Sequence, residues 1–111
     1  KFDEARGFGA HRVVATRDPD AVKKIAGSLD LLVVTTNVPL DWPAMLGTLA
    51  PRGRMHVVGA VLEPIPVPIV PIIFGQQSVS GSPTGSPVAI ERMLEFAARH
   101  RVLPTTEHFP M

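Results

Sequence analysis

The sequence has no cysteine and no tyrosine, and it has only one tryptophan. Without cysteine the chain forms no disulfide and offers no thiolate to a zinc ion. It also has no Gly-x-Gly-x-x-Gly segment or similar glycine-rich loop that would cradle phosphates. Its apolar runs are too short to cross a bilayer, and its net charge is only +1 with scattered Lys and Arg. These features predict neither a membrane partner nor a nucleic-acid partner.

The composition indicates one small folded domain. A chain of 111 residues that is 45% apolar can bury a core, and four of its 12 prolines cluster in one segment, residues 64–71. The histidines have no metal-ligand spacing, and no serine lies in a nucleophile elbow. We therefore predict no catalytic residue and no metal ligand in this chain. His56 lies within a predicted strand, which favours a neutral, hydrogen-bonded core histidine.

Strands and helices alternate along the sequence. The predicted elements are helix 1–8, strand 12–16, a helix after Asp18-Pro19 with Val22, Ile25 and Ala26 buried, strand 29–35, helix 39–49, strand 54–58, an extended proline-rich loop 62–74, strand 76–80 and helix 87–100 with Ile90, Met93, Leu94 and Ala97 inside. Such alternation predicts an α/β fold with right-handed crossovers and a parallel sheet.

Three of the predicted strands end in small or polar residues. These ends are Val34-Thr35-Thr36, Val58-Gly59-Ala60 and Ser80-Gly81-Ser82. Ligands of open α/β sheets bind beyond the carboxyl ends of the strands, so the three ends indicate a ligand site. The same residues also suit solvated turns, and the residues alone leave both interpretations open.

Two groups of motifs resemble a known family. Lys1-x-x-Glu4-Ala5-x-x-Phe8-Gly9-Ala10 and Gly53-Arg54-x-x-x-Val58-Gly59-Ala60 resemble the medium-chain, zinc-dependent alcohol dehydrogenases. The segments 74–86 and 93–97 are similar to the cinnamyl alcohol dehydrogenase-like branch. The resemblance implies an enzyme that interconverts aldehydes and primary alcohols, using NADP(H) and a catalytic zinc.

The resemblance also implies which part of such an enzyme this is. Residues 1–111 would form part of a nucleotide-binding domain in a longer enzyme: a partial Rossmann-type parallel sheet with flanking helices, lacking the first two strands. The family strand order is 3-2-1-4-5-6, so strand 12–16 would lose its neighbour and lie displaced or beside residue 31. The zinc ligands and the pyrophosphate loop would lie outside this chain, which alone would be inactive.

Cofactor contacts are implied position by position. The matching residues are Lys1, Thr35, Thr36, Val58, Gly59, Ala60, Ser80, Gly81 and Ser82. Lys1 would meet the 2′-phosphate of NADP, and residues 35–36 would lie beside the nicotinamide ribose. Residues 58–60 would frame the nicotinamide carboxamide, and residues 80–82 would close over its ring. Val34 and Pro83 depart from the family pattern, which has an acidic residue and a bulky apolar residue there.

Two alternatives and two further expectations complete the sequence interpretation. The segment could belong to an S-adenosylmethionine-dependent methyltransferase, or it could be a non-catalytic α/β interaction module. The resemblance implies a cytoplasmic enzyme that binds a small alcohol or aldehyde. It also implies a homodimer that pairs through strand 76–80, which has no Lys, Asp or Glu to discourage edge pairing.

Overall fold

A computed structural model describes residues 2–110, which divide into two compact units. Gly81 ends the first unit and Ser82 begins the second. The elements are α1 (Phe2–Gly7), α2 (Pro19–Lys23), β1 (Leu29–Val34), α3 (Trp42–Gly47), β2 (Leu49–Val57), α4 (Ile69–Gly75), β3 (Ser78–Gly81) and α5 (Pro87–His100). In the part of the chain so described, no helix is long and apolar enough to span a membrane.

The sheet of the first unit has three strands in the order β1-β2-β3, and both pairs are parallel. Val34 of β1 is opposite Val57 of β2, which is in turn opposite Gly81 of β3. The predicted α/β class, the parallel sheet and the adjacency of its three strands are confirmed. All three carboxyl ends therefore lie at one edge of the sheet.

One face of this sheet is covered and forms the core. Val34, Trp42, Leu46, Leu49 and Met55 are buried together, and Met55 has no exposed surface. Helices α3 and α4 pack against β2. Alternation along the strands turns other side chains to the opposite face, which is more exposed.

Polar caps set the starts of three helices, two of which, at Asp18 and Ser86, the sequence predicts. Asp18 Oδ1 accepts hydrogen bonds from the Asp20 and Ala21 amides at 3.0 and 3.3 Å. Asp41 Oδ1 accepts one from the Ala44 amide at 3.1 Å, and Ser86 Oγ accepts one from the Ala89 amide at 3.3 Å. Each cap supplies an acceptor to a helix amide that has no intrahelical partner.

The prediction of a strand at Arg12–Thr16 is wrong. Residues 12–15 have no regular secondary structure, and residues 16–17 form a turn. A strand needs a neighbour to receive its backbone hydrogen bonds, and none of the described residues before it forms one. The segment does not pair with β1, so neither the displaced strand nor the strand beside residue 31 is observed.

Other boundaries differ for local reasons. The predicted helix 39–49 is only α3, because Asp41 caps it and Leu49 already belongs to β2. Strand β2 starts earlier than expected, and an irregularity beyond Leu49 brings Arg54 opposite Leu31. Arg52 has a left-handed φ of 64° within that irregularity.

The proline-rich segment is extended only up to Pro68, not to Phe74 as expected. Helix α4 begins at Ile69, with Pro68 at its cap and Pro71 in its first turn. Amides at these positions lack intrahelical acceptors, so both prolines are tolerated there. Gln76 closes α4 with a φ of 51°, and β3 consequently starts at Ser78, not at residue 76.

Two expectations about buried helix faces also need correction. Of the stripe predicted for α2, Val22 is buried and Ile25 is half-buried, but Ala26 is exposed because α2 ends at Lys23. No residue of α5 is buried, and Leu94 is 59% exposed. Within residues 82–110 the structure has no other helix or strand to cover it. Within that unit, the segment from Val102 to Pro104 lines a cleft together with Met93, Leu94 and Ala97 of α5.

Candidate cofactor site

The carboxyl edge of the sheet brings most of the predicted site residues together. Thr35 and Thr36 follow β1, residues 58–60 follow β2, and β3 ends with Ser80 and Gly81. Ser82 belongs to the second unit, where it is exposed. Lys1 lies outside the described residues, so its predicted phosphate contact has no structural counterpart here.

The segments after β1 and β2 meet at Gly59. A Cβ atom built on Gly59 would overlap the Thr36 carbonyl oxygen, and it would lie 2.6 Å from the Thr36 carbonyl carbon. It would also lie 2.8 Å from the carbonyl carbon of Thr35. Only glycine permits such a close approach of two backbones. This explains why a glycine follows the end of β2.

Two hydrogen bonds fix this contact. The amides of Val58 and Gly59 both donate to the Val34 carbonyl, at 2.9 and 3.1 Å. Val34 is buried in the core, so the anchor point is held by packing as well. The backbone from Val58 to Gly59 is thus set against the end of β1 by groups that do not depend on a ligand.

The side chains at the edge are accessible. Thr35 is exposed, Thr36 is half-buried, and Val58 is 46% exposed. Thr36 Oγ1 accepts a hydrogen bond from the Val38 amide at 3.3 Å, which orients the hydroxyl. A hydroxyl that accepts one bond can still donate its proton to a ligand. The edge therefore presents oriented hydroxyls beside an apolar side chain.

A cleft of about 570 Å³ opens beside the end of β1. Its lining includes Thr16, Arg17, Thr35, Thr36 and Asp41. Ligand sites commonly have volumes of about 300–1,000 Å³ and a few convergent polar groups on apolar walls. The volume of the cleft lies within this range, and Arg17 contributes a guanidinium to its lining.

Sequence reasoning missed two residues of this region. Arg17 was not singled out, although its position after the predicted strand 12–16 could have indicated a strand-end residue. His56 was assigned to the core, whereas it is half-buried and its Nδ1 lies 2.9 Å from Ser80 Oγ. The expectation of a hydrogen bond is confirmed, and the expectation of full burial is wrong.

Comparison with known proteins shows which family this chain belongs to. The family described as zinc-binding dehydrogenase matches residues 1–99. The chain belongs to the zinc-binding dehydrogenase family. The resemblance seen in the sequence is confirmed, and family membership favours the dehydrogenase interpretation over the methyltransferase one.

Individual relatives agree with this assignment. The aldehyde reductase AdhA of Synechocystis is 43% identical over 109 residues, which cover 98% of this chain and 32% of that protein. The NADP-dependent alcohol dehydrogenase C 1 of Mycolicibacterium smegmatis is 35% identical over 96% of this chain and 31% of its own length. This dehydrogenase chain thus spans about a third of the curated relatives that it matches.

A solved structure supports the fold. A cinnamyl alcohol dehydrogenase from Sorghum bicolor has a TM-score of 0.89 and 35% identity, covering 96% of this chain and 31% of that protein. The Rossmann-type interpretation of the sheet is confirmed by this neighbour. The residues at the carboxyl edge of the sheet belong to this chain's own strands and to the segments that follow them.

The donor set of this dehydrogenase chain does not fit a zinc site. Among residues 2–110, no group of three His, Asp or Glu side chains could hold a metal ion. Cysteine is absent from the whole sequence. Nothing in the reaction is therefore assigned to a metal held by these residues.

Proposed function

We propose that this chain forms the nicotinamide-binding part of a longer NADP(H)-dependent oxidoreductase that interconverts aldehydes and primary alcohols. The zinc of that enzyme would be held by residues outside this segment. The observation that carries the proposal is the convergence of Thr35, Thr36 and Gly59 at the carboxyl edge of the sheet. Membership of the zinc-binding dehydrogenase family supports a nicotinamide cofactor as the ligand of this edge.

The geometry fits a dinucleotide in three respects. Hydroxyls at residues 35 and 36 suit a ribose, whose own hydroxyls both donate and accept hydrogen bonds. Gly59 lets the Thr36 backbone approach closely, which brings the ends of β1 and β2 together, and Val58 offers a flat ring an apolar contact. When bound, the nicotinamide supplies hydride transfer, while these residues bind and orient it.

A preference for NADP over NAD is part of the proposal. The family resemblance implies that Lys1 would meet the 2′-phosphate, which NAD lacks. Charged donors bind phosphate oxygens more strongly than neutral donors do. The Mycolicibacterium relative is named as NADP-dependent, which agrees with this preference.

A homodimer through β3 is also proposed. Strand β3 lies at the end of the sheet order, so in the first unit only one of its sides is paired. Val79 is 37% exposed, and the strand has no charged residue to discourage pairing with another chain. Symmetric edge pairing would be isologous, since the same strand meets itself. Location in the cytoplasm stays a prediction.

The test uses the full-length protein that contains this segment. NADPH and NADH are titrated into it, and reduction of a panel of aldehydes is followed by the loss of NADPH absorbance. We expect tighter binding of NADPH than of NADH and measurable turnover with at least one aldehyde. Failure to bind either dinucleotide would refute the assignment of the edge, and binding without turnover on any aldehyde or alcohol would refute the proposed reaction.

A further inference from the structure

A row of three polar side-chain contacts runs from β2 to Gln76, which precedes β3, and to Ser78 and Ser80 within β3. Arg52 Nε donates to Gln76 Oε1 at 3.1 Å, and Arg54 Nε donates to Ser78 Oγ at 3.4 Å. His56 Nδ1 lies 2.9 Å from Ser80 Oγ. The contacts recur every second residue on both sides. The His56 contact is the shortest of the three. It lies nearest to the carboxyl edge of the sheet, where the cofactor is proposed to bind (the cofactor edge).

Strand register places these contacts on the face opposite the core. Arg54 is directly opposite Ser78, and His56 is directly opposite Ser80. Met55, which lies between them in β2, is wholly buried on the other face, opposite Val79. Because side chains alternate along a strand, His56 and Arg54 share the more exposed face.

Apolar packing alone holds β3 weakly in this register. The strand has only four residues, and Gly81 has no side chain. Val79 is the single apolar residue among them, and it remains 37% exposed. Register is weakly specified where one face is not firmly buried, and a slip by one residue exchanges the two faces.

We propose that His56 is a positioning residue for the cofactor edge. Through Ser80 it fixes the register of β3 and thereby holds Gly81 opposite Val57, the last residue of β2. This inference rests on the proposed function, because a change in the placement of β3 is detected through its effect on nicotinamide binding. The tautomer of His56 determines which partner donates the hydrogen bond, and the contact holds the strand in either case.

Position along the row separates His56 from its neighbours. The Arg54–Ser78 contact has the same strands, the same face and the same residue type on β3, but it lies two residues farther from the edge. Its loss leaves Ser80 and Gly81 anchored by His56. The Ser78 and Ser80 hydroxyls therefore make a matched pair for experiment.

The experiment uses the full-length protein and five variants: His56→Leu, His56→Asn, Ser80→Ala, the double variant His56→Leu/Ser80→Ala, and Ser78→Ala as the control. The dissociation constant for NADPH, KM, kcat and the unfolding temperature are measured for each. We expect His56→Leu and Ser80→Ala each to raise the dissociation constant about three- to tenfold, the range that one net hydrogen bond supplies. The double variant should be no weaker than either single one, since both remove the same contact.

His56→Asn should recover most of the affinity, because the Asn amide lies near the position of Nδ1 and can bond Ser80. Ser78→Ala should lower the unfolding temperature about as much as Ser80→Ala without changing NADPH affinity. Equal loss of affinity in Ser78→Ala, additive losses in the double variant, or unchanged affinity in His56→Leu would each overturn the inference. If the unaltered protein fails to bind NADPH, the proposed function itself is refuted and this inference falls with it.

Discussion

The position that a side chain on Gly59 would occupy is filled by the backbone of Thr36. Gly59 and Thr36 are 23 positions apart in sequence. The carbonyl of Val34, the last residue of β1, accepts hydrogen bonds from the Val58 and Gly59 amides that follow β2. The contact joins the ends of β1 and β2 before any ligand is present. The close approach is therefore built into the sheet. It can be tested by Gly→Ala substitutions, each of which adds one methyl group.

Gly59→Ala should disrupt the edge. The methyl group would lie against backbone atoms that cannot move aside cheaply, so we expect NADPH affinity of the full-length protein to fall by about tenfold or more, equivalent to about 1.4 kcal/mol per tenfold. Titration calorimetry measures the change. Gly47→Ala is the matched control, because a Cβ there meets nothing within 4 Å. Equal behaviour of the two variants would contradict the close approach.

Lys1→Ala should separate the two dinucleotides. Only NADP carries the additional phosphate, so the variant should lose about tenfold or more in NADPH affinity, consistent with one charge-assisted hydrogen bond, and little in NADH affinity. Lys1→Arg, which keeps the positive charge, should retain the preference. Steady-state KM values for both cofactors measure this. An equal loss for NADPH and NADH would remove Lys1 from the phosphate site.

The 111-residue chain by itself should bind NADP(H) poorly and should not oxidise alcohols. It has no glycine-rich loop to hold the pyrophosphate, and such a loop supplies much of the binding of a dinucleotide. We expect an affinity no better than millimolar, measured by fluorescence titration alongside the full-length protein. Turnover by the isolated chain on addition of zinc would contradict the proposal that the zinc ligands lie outside this segment.

Met55→Ala should destabilise the fold more than any change on α5. Met55 has no exposed surface and is central to the core, and truncating such a residue to Ala costs about 2–5 kcal/mol in the free energy of unfolding. Met93→Ala removes the same atoms from a side chain that is 53% exposed, and it should cost much less. Urea denaturation of both variants compares them directly.

Local chemistry made part of this structure predictable from the sequence. Asp18-Pro19 and Ser86-Pro87 each combine a capping side chain with a proline at the first helical position, so both helix starts follow from adjacent residues. The small residues at Thr35 and Gly59 likewise marked the strand ends. Because parallel strands bring their carboxyl ends to one edge, these residues could be expected to lie together.

Features that depend on register or on neighbours could not be predicted in this way. The pairing of His56 with Ser80 depends on the register between β2 and β3, which the residues of neither strand reveal alone. Strand 12–16 had the right composition but no partner, and composition does not reveal a missing neighbour. Helix α5 has a clear apolar side, yet its burial depends on what packs against it.

Val79→Lys should weaken self-association if β3 pairs with its symmetry mate. A lysine on an edge strand disfavours pairing, because its charge must leave water when another strand docks beside it. We expect sedimentation velocity to show a dimer for the full-length protein and a shift towards monomer for the variant. Val88→Lys is the control, since Val88 is an exposed valine (56%) that belongs to α5 and not to β3. A protein that sediments as a monomer at high concentration, or a Val79→Lys variant that stays fully dimeric, would exclude β3 as the interface.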